Sequence, residues 1–504
     1  MKKTTIYTIF LMVTLAGSLT SCSDWLDVLP KNEQVSTEYW KSKEEVEAVV
    51  NSGYYELRLS VPTMIKWGEL RGGAFYSING TDLKLQDFVM TPENSLCNYG
   101  SFYKVINFAN SVIKNAPKVK GSDDTYYDAI LNSHLCEAYF QRAYCYLLLV
   151  KNFKEVPLIT EPYTDDSQNT NVAKSSEEDI IKQIKADVET ALETKAAKAT
   201  YENEWETKGR VTKWALYALM ADACLWSEDY ENCKKYCDLI LNANTSGEQF
   251  YPRFLKNSND WFTMFYPGNS NESIFELNWD YEQAKETNNF TELFSLSSTS
   301  GLMFTKTANE LLDNEEQNTT ARGDRDGRMN LATFVDINGT KYLWKYRGND
   351  IADMEGGIRL QLDANFIIYR VAEIILMKAQ ADAMTGNIEE AVSLVNQIRE
   401  RAGLAAITNP EIYNEETILD EILQQKEMEF LGEAKRWYDL LWLARISNHK
   451  YKSKAIQYIC DGNQTTKAEW IQSALIDNYA WYIPLPKNDI EYNQLLVQNP
   501  YYTK

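Results

Sequence analysis

Residues 366–403 read FIIYRVAEIILMKAQADAMTGNIEEAVSLVNQIRERAG, and the spacing of their apolar side chains decides the fold class. Ile368, Val371, Ile375 and Ala379 recur at helical steps, which predicts a helix with one buried face. Gly386-Asn387 interrupts it. Ile388, Ala391, Val392, Val395 and Ile398 then mark a second amphipathic helix, with Gly403 placed to cap its C-terminal end. Two antiparallel helices joined by a short turn, with Ala379, Ala383, Gly386 and Ala391 small enough for a close crossing, make a tetratricopeptide-like unit.

The same construction is found on both sides of this block. VTKWALYALMADACLW (211–226) breaks at SED and is followed by YENCKKYCDLIL (230–241). SHLCEAYFQRAYCYLLLV (133–150) precedes a run in which Ile180, Ile184, Val188 and Leu192 share a face. Ser175 with Glu178 fits a capping box at the start of that run. Residues 416–431 and 434–445 give a fourth pair. The repeat period is imperfect, so the reading is a mainly α scaffold of about four tetratricopeptide-like units rather than a long solenoid. Scaffold helices are expected over 22–60, 101–244 and 366–445, with a C-terminal extended segment over 446–504.

Between the helical stretches the texture changes. Residues 245–365 are rich in Asn, Ser, Thr, Gly and aromatics, with SIFELNW and KYLWKY reading as short strands. A similar texture covers 61–100. These two irregular, loop-rich insertions are the expected ligand-loop regions, since connecting segments on a rigid scaffold commonly carry function.

The amino terminus adds an address. Lys2 and Lys3 precede an apolar run from Ile6 to Leu19 that is too short for a spanning helix. Leu19-Thr20-Ser21-Cys22 then has the order of a bacterial lipoprotein signal: a large apolar residue, two small ones, and a thiol to be alkylated. Residues 1–21 read as the signal peptide and 22–504 as a single body held to a membrane by lipid on Cys22. Two or more acyl chains make such an anchor effectively permanent.

Composition excludes several function classes. The formal charge is −21, from 72 acidic against 51 basic residues, and a chain so acidic is not built to bind nucleic acid. There are two histidines, His134 and His449, far apart in sequence and without a metal-binding spacing. No GxGxxG, P-loop or GxSxG motif occurs. Cys233 and Cys237 lie four apart on a predicted helix, where two thiolates do not complete a zinc site and small buried residues are the expected role. Arg322-Gly323-Asp324 sits in a polar turn and carries no function in this reading. No metal, cofactor or catalytic residue is assigned.

Five ordered segments carry a family resemblance: CSDWLDVLPKNEQVSTEYW (22–40), FYKVINFANSVI (102–113), the block ending at Gly403, KEMEFLGEAKRWYDLLWLAR (426–445) and YIPLPKNDIEYNQLLVQNPYY (482–502). Together the chain resembles the SusD/RagB family of surface lipoproteins, from which it departs at Ala434, where many members have glycine. The resemblance implies binding rather than turnover. Members capture an oligosaccharide, or sometimes a peptide, and lie as a lid over a SusC-like TonB-dependent transporter of the outer membrane. It implies an outer-membrane, lipid-anchored protein facing the cell exterior. An alternative is a purely protein-binding helical-repeat scaffold, or a peptide-binding one.

Sugars present apolar C–H faces ringed by hydroxyls, which flat aromatic rings and planar polar side chains match. The chain has 13 Trp and 32 Tyr against 18 Phe. Trp67, Tyr76, Trp279 and Tyr281 are the expected platforms, with Arg71 and Asp280 binding hydroxyls. Trp214 and Trp344 are expected in the core. Arg436-Trp437-Tyr438-Asp439 is expected to pack helices and to pair with Glu427 or Glu429. Stacking offset by ordering and desolvation costs gives an expected Kd in the range of about micromolar to millimolar.

Overall fold

The computed structural model describes residues 39–165, 167–297, 301–318, 328, 333–349, 357–463 and 467–503. Cys22, the expected signal peptide and Arg322–Asp324 lie outside the described residues. Twelve helices of more than ten residues are labelled here in chain order: α1 Lys43–Glu69, α2 Gly100–Val119, α3 Asp128–Phe153, α4 Glu177–Glu193, α5 Lys213–Trp226, α6 Tyr230–Leu241, α7 Lys306–Asn318, α8 Val371–Met384, α9 Ile388–Arg401, α10 Glu415–Glu429, α11 Arg436–His449 and α12 Lys452–Gly462.

Local chemistry sets the helix starts. Ser42 and Glu45 form a reciprocal capping box at α1, as Asn414 and Thr417 do at α10. The cap of α4 is Ser176, whose hydroxyl accepts from the Asp179 N–H, not the expected Ser175. Ser175 instead ends a two-residue strand paired with Val156–Pro157. At the α8–α9 turn, Gly386 has φ +81°, a left-handed conformation that costs glycine little.

Consecutive helices stack from α1 to α6. α8 then packs on α6 across the insertion and is followed by α9 and α10. The apolar faces merge into one continuous core, and Ala379, Ala383 and Ala391 are fully buried at their crossings. Trp214 and Trp344 are buried as expected, and so are Cys233 and Cys237. The fourth expected pair is looser than a repeat, because α11 packs chiefly on α12 and α1 rather than on α10.

Three further expectations are corrected. Phe366–Arg370 is not the first turn of a helix but a strand, antiparallel to Ser273–Leu277, and α8 begins at Val371. The strand is buried at every position and runs directly into a buried helix, so its apolar pattern does not alternate. Residues 61–69 are not loop but the last third of α1, which continues through Pro62. The segment 446–504 is not extended throughout, since it contains α12 and the shorter helices Ala468–Ala474 and Lys487–Tyr492.

The 245–365 insertion holds Ser273–Leu277, α7 and the hairpin Phe334–Ile337/Thr340–Leu343, whose Asn338-Gly339 turn has positive φ at both residues. A buried ionic cluster joins it to the scaffold. Arg370 donates to Glu272 at 3.1 Å, Glu429 at 2.6 Å and Glu433 at 2.9 Å. Arg401 binds Glu272 and Glu429, Arg328 binds Glu315 and Glu429, and Lys345 binds Glu433. Burial works against charge on Glu429, yet Arg401, Arg370 and Arg328 together hold its carboxyl well below the ordinary range. Arg436 pairs with Glu427 at 2.6 Å and Asp439 with Lys426, so Glu427 rather than Glu429 is the partner of the 436–439 motif.

Candidate functional site

A cleft of about 800 Å³ opens where α1, residues 203–210 and residues 277–286 meet. From α1 come Glu47, Asn51, Tyr54, Tyr55 and Arg58, which helical spacing puts on one side of the helix, away from the buried Val46, Val50, Leu57 and Val61. The second wall is the short helix Glu204–Gly209, capped by Asn203, whose side chain accepts from the Glu206 N–H at 2.8 Å. The third begins as strand Ser273–Leu277 ends and turns at Asp280, which caps Tyr281–Ala284 by accepting from the Gln283 N–H at 2.8 Å.

Ion pairs fix the floor. Arg58 grips Glu286 through two bonds, of 2.6 and 3.2 Å, and donates to the Asn278 carbonyl at 2.9 Å. Its guanidinium lies 5.6 Å from the Tyr55 ring centre and 5.8 Å from that of Trp279. Arg210 binds Glu137 through two bonds, of 2.8 and 3.1 Å, and Glu47 at 2.9 Å. Although burial opposes its charge, Glu137 holds the Arg210 guanidinium above its ordinary range. Tyr54 donates to Glu137 at 2.6 Å and accepts from the Val211 N–H, and burial followed by Glu137 pushes its phenol well above the usual value.

Two aromatic rings are left to solvent on this floor: Tyr55 is 52% exposed and Trp205 is 43% exposed. Asn51, Asn203, Glu206, Asp280 and Gln283 add planar donors and acceptors around them. Asn278 supports Trp205, donating to its carbonyl at 3.0 Å and to Asn269 Oδ1 at 2.8 Å. Gly209 is small for this reason, since a Cβ there would stand 2.9 Å from Asn278 Nδ2. The cleft thus offers apolar faces and planar hydrogen-bonding edges on a rigid base, the combination that a sugar ring requires.

The six expected site residues are scattered. Trp67 is fully buried in α1, donates to the Leu96 carbonyl at 2.8 Å and stacks on Phe102, so it is core and not a platform. Arg71 is buried too. It donates to the Trp481 carbonyl and to Asn152 and lies 4.1 Å from the centre of the Trp437 ring, while burial pushes its pKa down to about 9. Tyr76 is half-buried in a short strand opposite Met303. Trp279 is 8% exposed and packs on Phe290 behind the cleft. Tyr281 begins the short helix, with the Lys285 ammonium 4.9 Å from its ring centre. Asp280 alone of the six lines the cleft. Nothing in the sequence pattern singles out Tyr55, Arg58 or Asn278. For Trp205, a tryptophan amid the charges of TYENEWETKGR (200–210) was the available signal.

Two family models match the chain, one described as "SusD family" over residues 337–502 and the other as "Starch-binding associating with outer membrane" over residues 24–225. The chain belongs to the SusD/RagB family. The SusD-like protein P38 of Formosa agariphila is 25% identical over 475 residues, spanning 86% of this chain and 90% of its own. Among solved structures, a SusD superfamily protein from Bacteroides thetaiotaomicron superposes with TM-score 0.70 at 20% identity, covering 92% of this chain and 99% of the other. A laminarin-binding SusD-like protein gives TM-score 0.70 at 19% identity, covering 91% and 99%. The helical scaffold is therefore that of SusD-like proteins. Among the described residues, no helix is long and apolar enough to cross a membrane.

Proposed function

We propose that this SusD-like protein is a binding protein for an oligosaccharide or polysaccharide nutrient at the outer membrane, and that the cleft between Tyr55 and Trp205 is where the glycan sits. The observation carrying this reading is the pair of solvent-exposed rings on a floor whose arginines are held by ion pairs. Such a site stacks and orients a sugar without acting on it. The family description of starch binding with outer-membrane association supports the reading, as does a structural relative that binds laminarin. In this reading lipid on Cys22 tethers the body to the outer membrane facing the cell exterior. The captured glycan passes to a SusC-like TonB-dependent transporter, and no bond is broken on the way.

Calorimetric titration of the purified protein with starch, laminarin and other glycans tests it. Heat with at least one glycan class, lost in Trp205→Ala and unaccompanied by new reducing ends, is the expected result. Tight association with a barrel transporter alongside silence toward every sugar would replace the glycan-binding reading with a protein-binding scaffold.

A further inference from the structure

The short helix Glu204–Gly209 has a second side. Beyond it lies another hollow, of about 530 Å³, bounded by the 199–214 segment, residues 249–253 and the start of the Ser273–Leu277 strand. Asn203 lines both hollows, so a ligand leaving the first over this residue enters the second. The second is also rimmed by aromatic rings. Phe250 is 59% exposed, and Tyr251 is half-buried beside it.

The cations of the two hollows are used differently. In the first, Arg58 and Arg210 are both consumed by carboxylates. In the second, Lys208 turns inward to the Ser273 carbonyl at 2.6 Å, and burial lowers its pKa to about 8, so it pins the helix to the strand. Arg253 is different. Its guanidinium lies 4.5 Å from the Tyr251 ring centre, it is exposed, and it forms no ion pair among the described residues. A fork of N–H donors laid on an aromatic ring, next to an exposed phenyl face, matches the hydroxyls and apolar face of another sugar unit.

We infer that the Phe250–Arg253 hollow is a second subsite for the same glycan chain, filled only by ligands long enough to cross the Glu204–Gly209 helix. The inference rests on the first cleft being a glycan site, and it makes the protein selective for longer chains. Affinity then has two parts. The Tyr55–Trp205 cleft sets binding of short oligosaccharides, and the second hollow adds a gain that appears only with length.

The test is calorimetric titration of the full protein with starch-, laminarin- and pectin-derived oligosaccharides, each graded in length. In the wild type, affinity for the bound series is expected to rise about tenfold or more from short to long members, equal to one good stacking contact. Phe250→Ala and Arg253→Ala should flatten that rise and leave the shortest ligands unaffected. Both side chains are exposed, so neither change disturbs the core. Trp205→Ala should weaken every length alike. A rise with length that survives in the double variant, or no rise in the wild type, overturns the second subsite while leaving the first cleft standing. Failure of the wild type to bind any member of the three series overturns both.

Discussion

Asn278 holds Trp205 in place: its side-chain amide donates to the Trp205 carbonyl at 3.0 Å across 73 residues of sequence, while its backbone carbonyl accepts from Arg58. One buried asparagine thereby ties the three walls of the cleft together. Asn278→Ala is expected to leave the Trp205 segment without its anchor and to cost about 1–3 kcal/mol of stability, since partners of a buried amide are left unsatisfied. Glycan affinity should fall with it, and Gly209→Ala, which drives a methyl against the same amide, should reproduce that fall. Wild-type affinity retained in both variants, measured by titration beside thermal melts, would separate Trp205 from this support.

Two tryptophans, one expected in the site from sequence and one that lines the cleft, should part company on substitution. Trp205 is 43% exposed and Trp67 is fully buried. Trp205→Ala is expected to lower glycan affinity about tenfold, with little change in melting temperature. Trp67→Ala removes a ring stacked on Phe102 and the hydrogen bond to Leu96, and should cost about 3–5 kcal/mol of stability. Denaturant melts and titrations on the same two variants check the pair. A Trp67→Ala protein of native stability but without affinity would put Trp67 back in the site.

The contrast shows what a sequence conveys. Helical pairs were legible because apolar residues carry the helical period over long stretches, as in α8 and α9. The strand Phe366–Arg370 was not, because a strand buried on both faces has no alternation to reveal it. Trp67 and Arg71 read as site residues from sequence because they fall in the aromatic, glycine-rich texture of 61–100, while α1 carries Trp67 inward. The cleft itself was hidden by distance. Arg58 and Glu286 are 228 residues apart, and composition does not register such a pairing. Ala434 illustrates the converse: its φ of +60° is a left-handed conformation that favours glycine, the residue the family resemblance leads one to expect there.

The ionic cluster around Glu429 should be more sensitive to deletion than any surface pair. Three arginines converge on this fully buried carboxylate. Glu429→Gln keeps the shape but strands several guanidinium charges, so a loss of about 3–5 kcal/mol is expected, or failure to fold at all. Lys114→Ala, which breaks a solvent-exposed pair with Glu161, should change stability little. Chemical denaturation of the two variants makes the comparison. A Glu429→Gln protein as stable as Lys114→Ala would show that the cluster contributes little to joining insertion and scaffold.

Glu69 makes the stability of the whole chain depend on pH in a direction opposite to most acids. Its Oε1 accepts from the Ala434 N–H at 2.7 Å, while Oε2 is buried without a partner among the described residues. Burial, only partly offset by that hydrogen bond and by Lys345, raises its pKa from 4.5 to about 8. Between those values the folded chain holds a proton that the unfolded chain has released. Stability from this group is therefore complete below 4.5 and is lost as pH rises toward about 8, at about 1.4 kcal/mol per pH unit. Glu69→Gln carries the neutral form at every pH. The melting temperature of Glu69→Gln minus that of the wild type should thus grow steadily across this window and level off above it. Other titrating groups are common to both proteins and cancel in the difference. Parallel melting curves across the window would mean that Glu69 is ionised in the folded protein, and that a cation or water reaches Oε2.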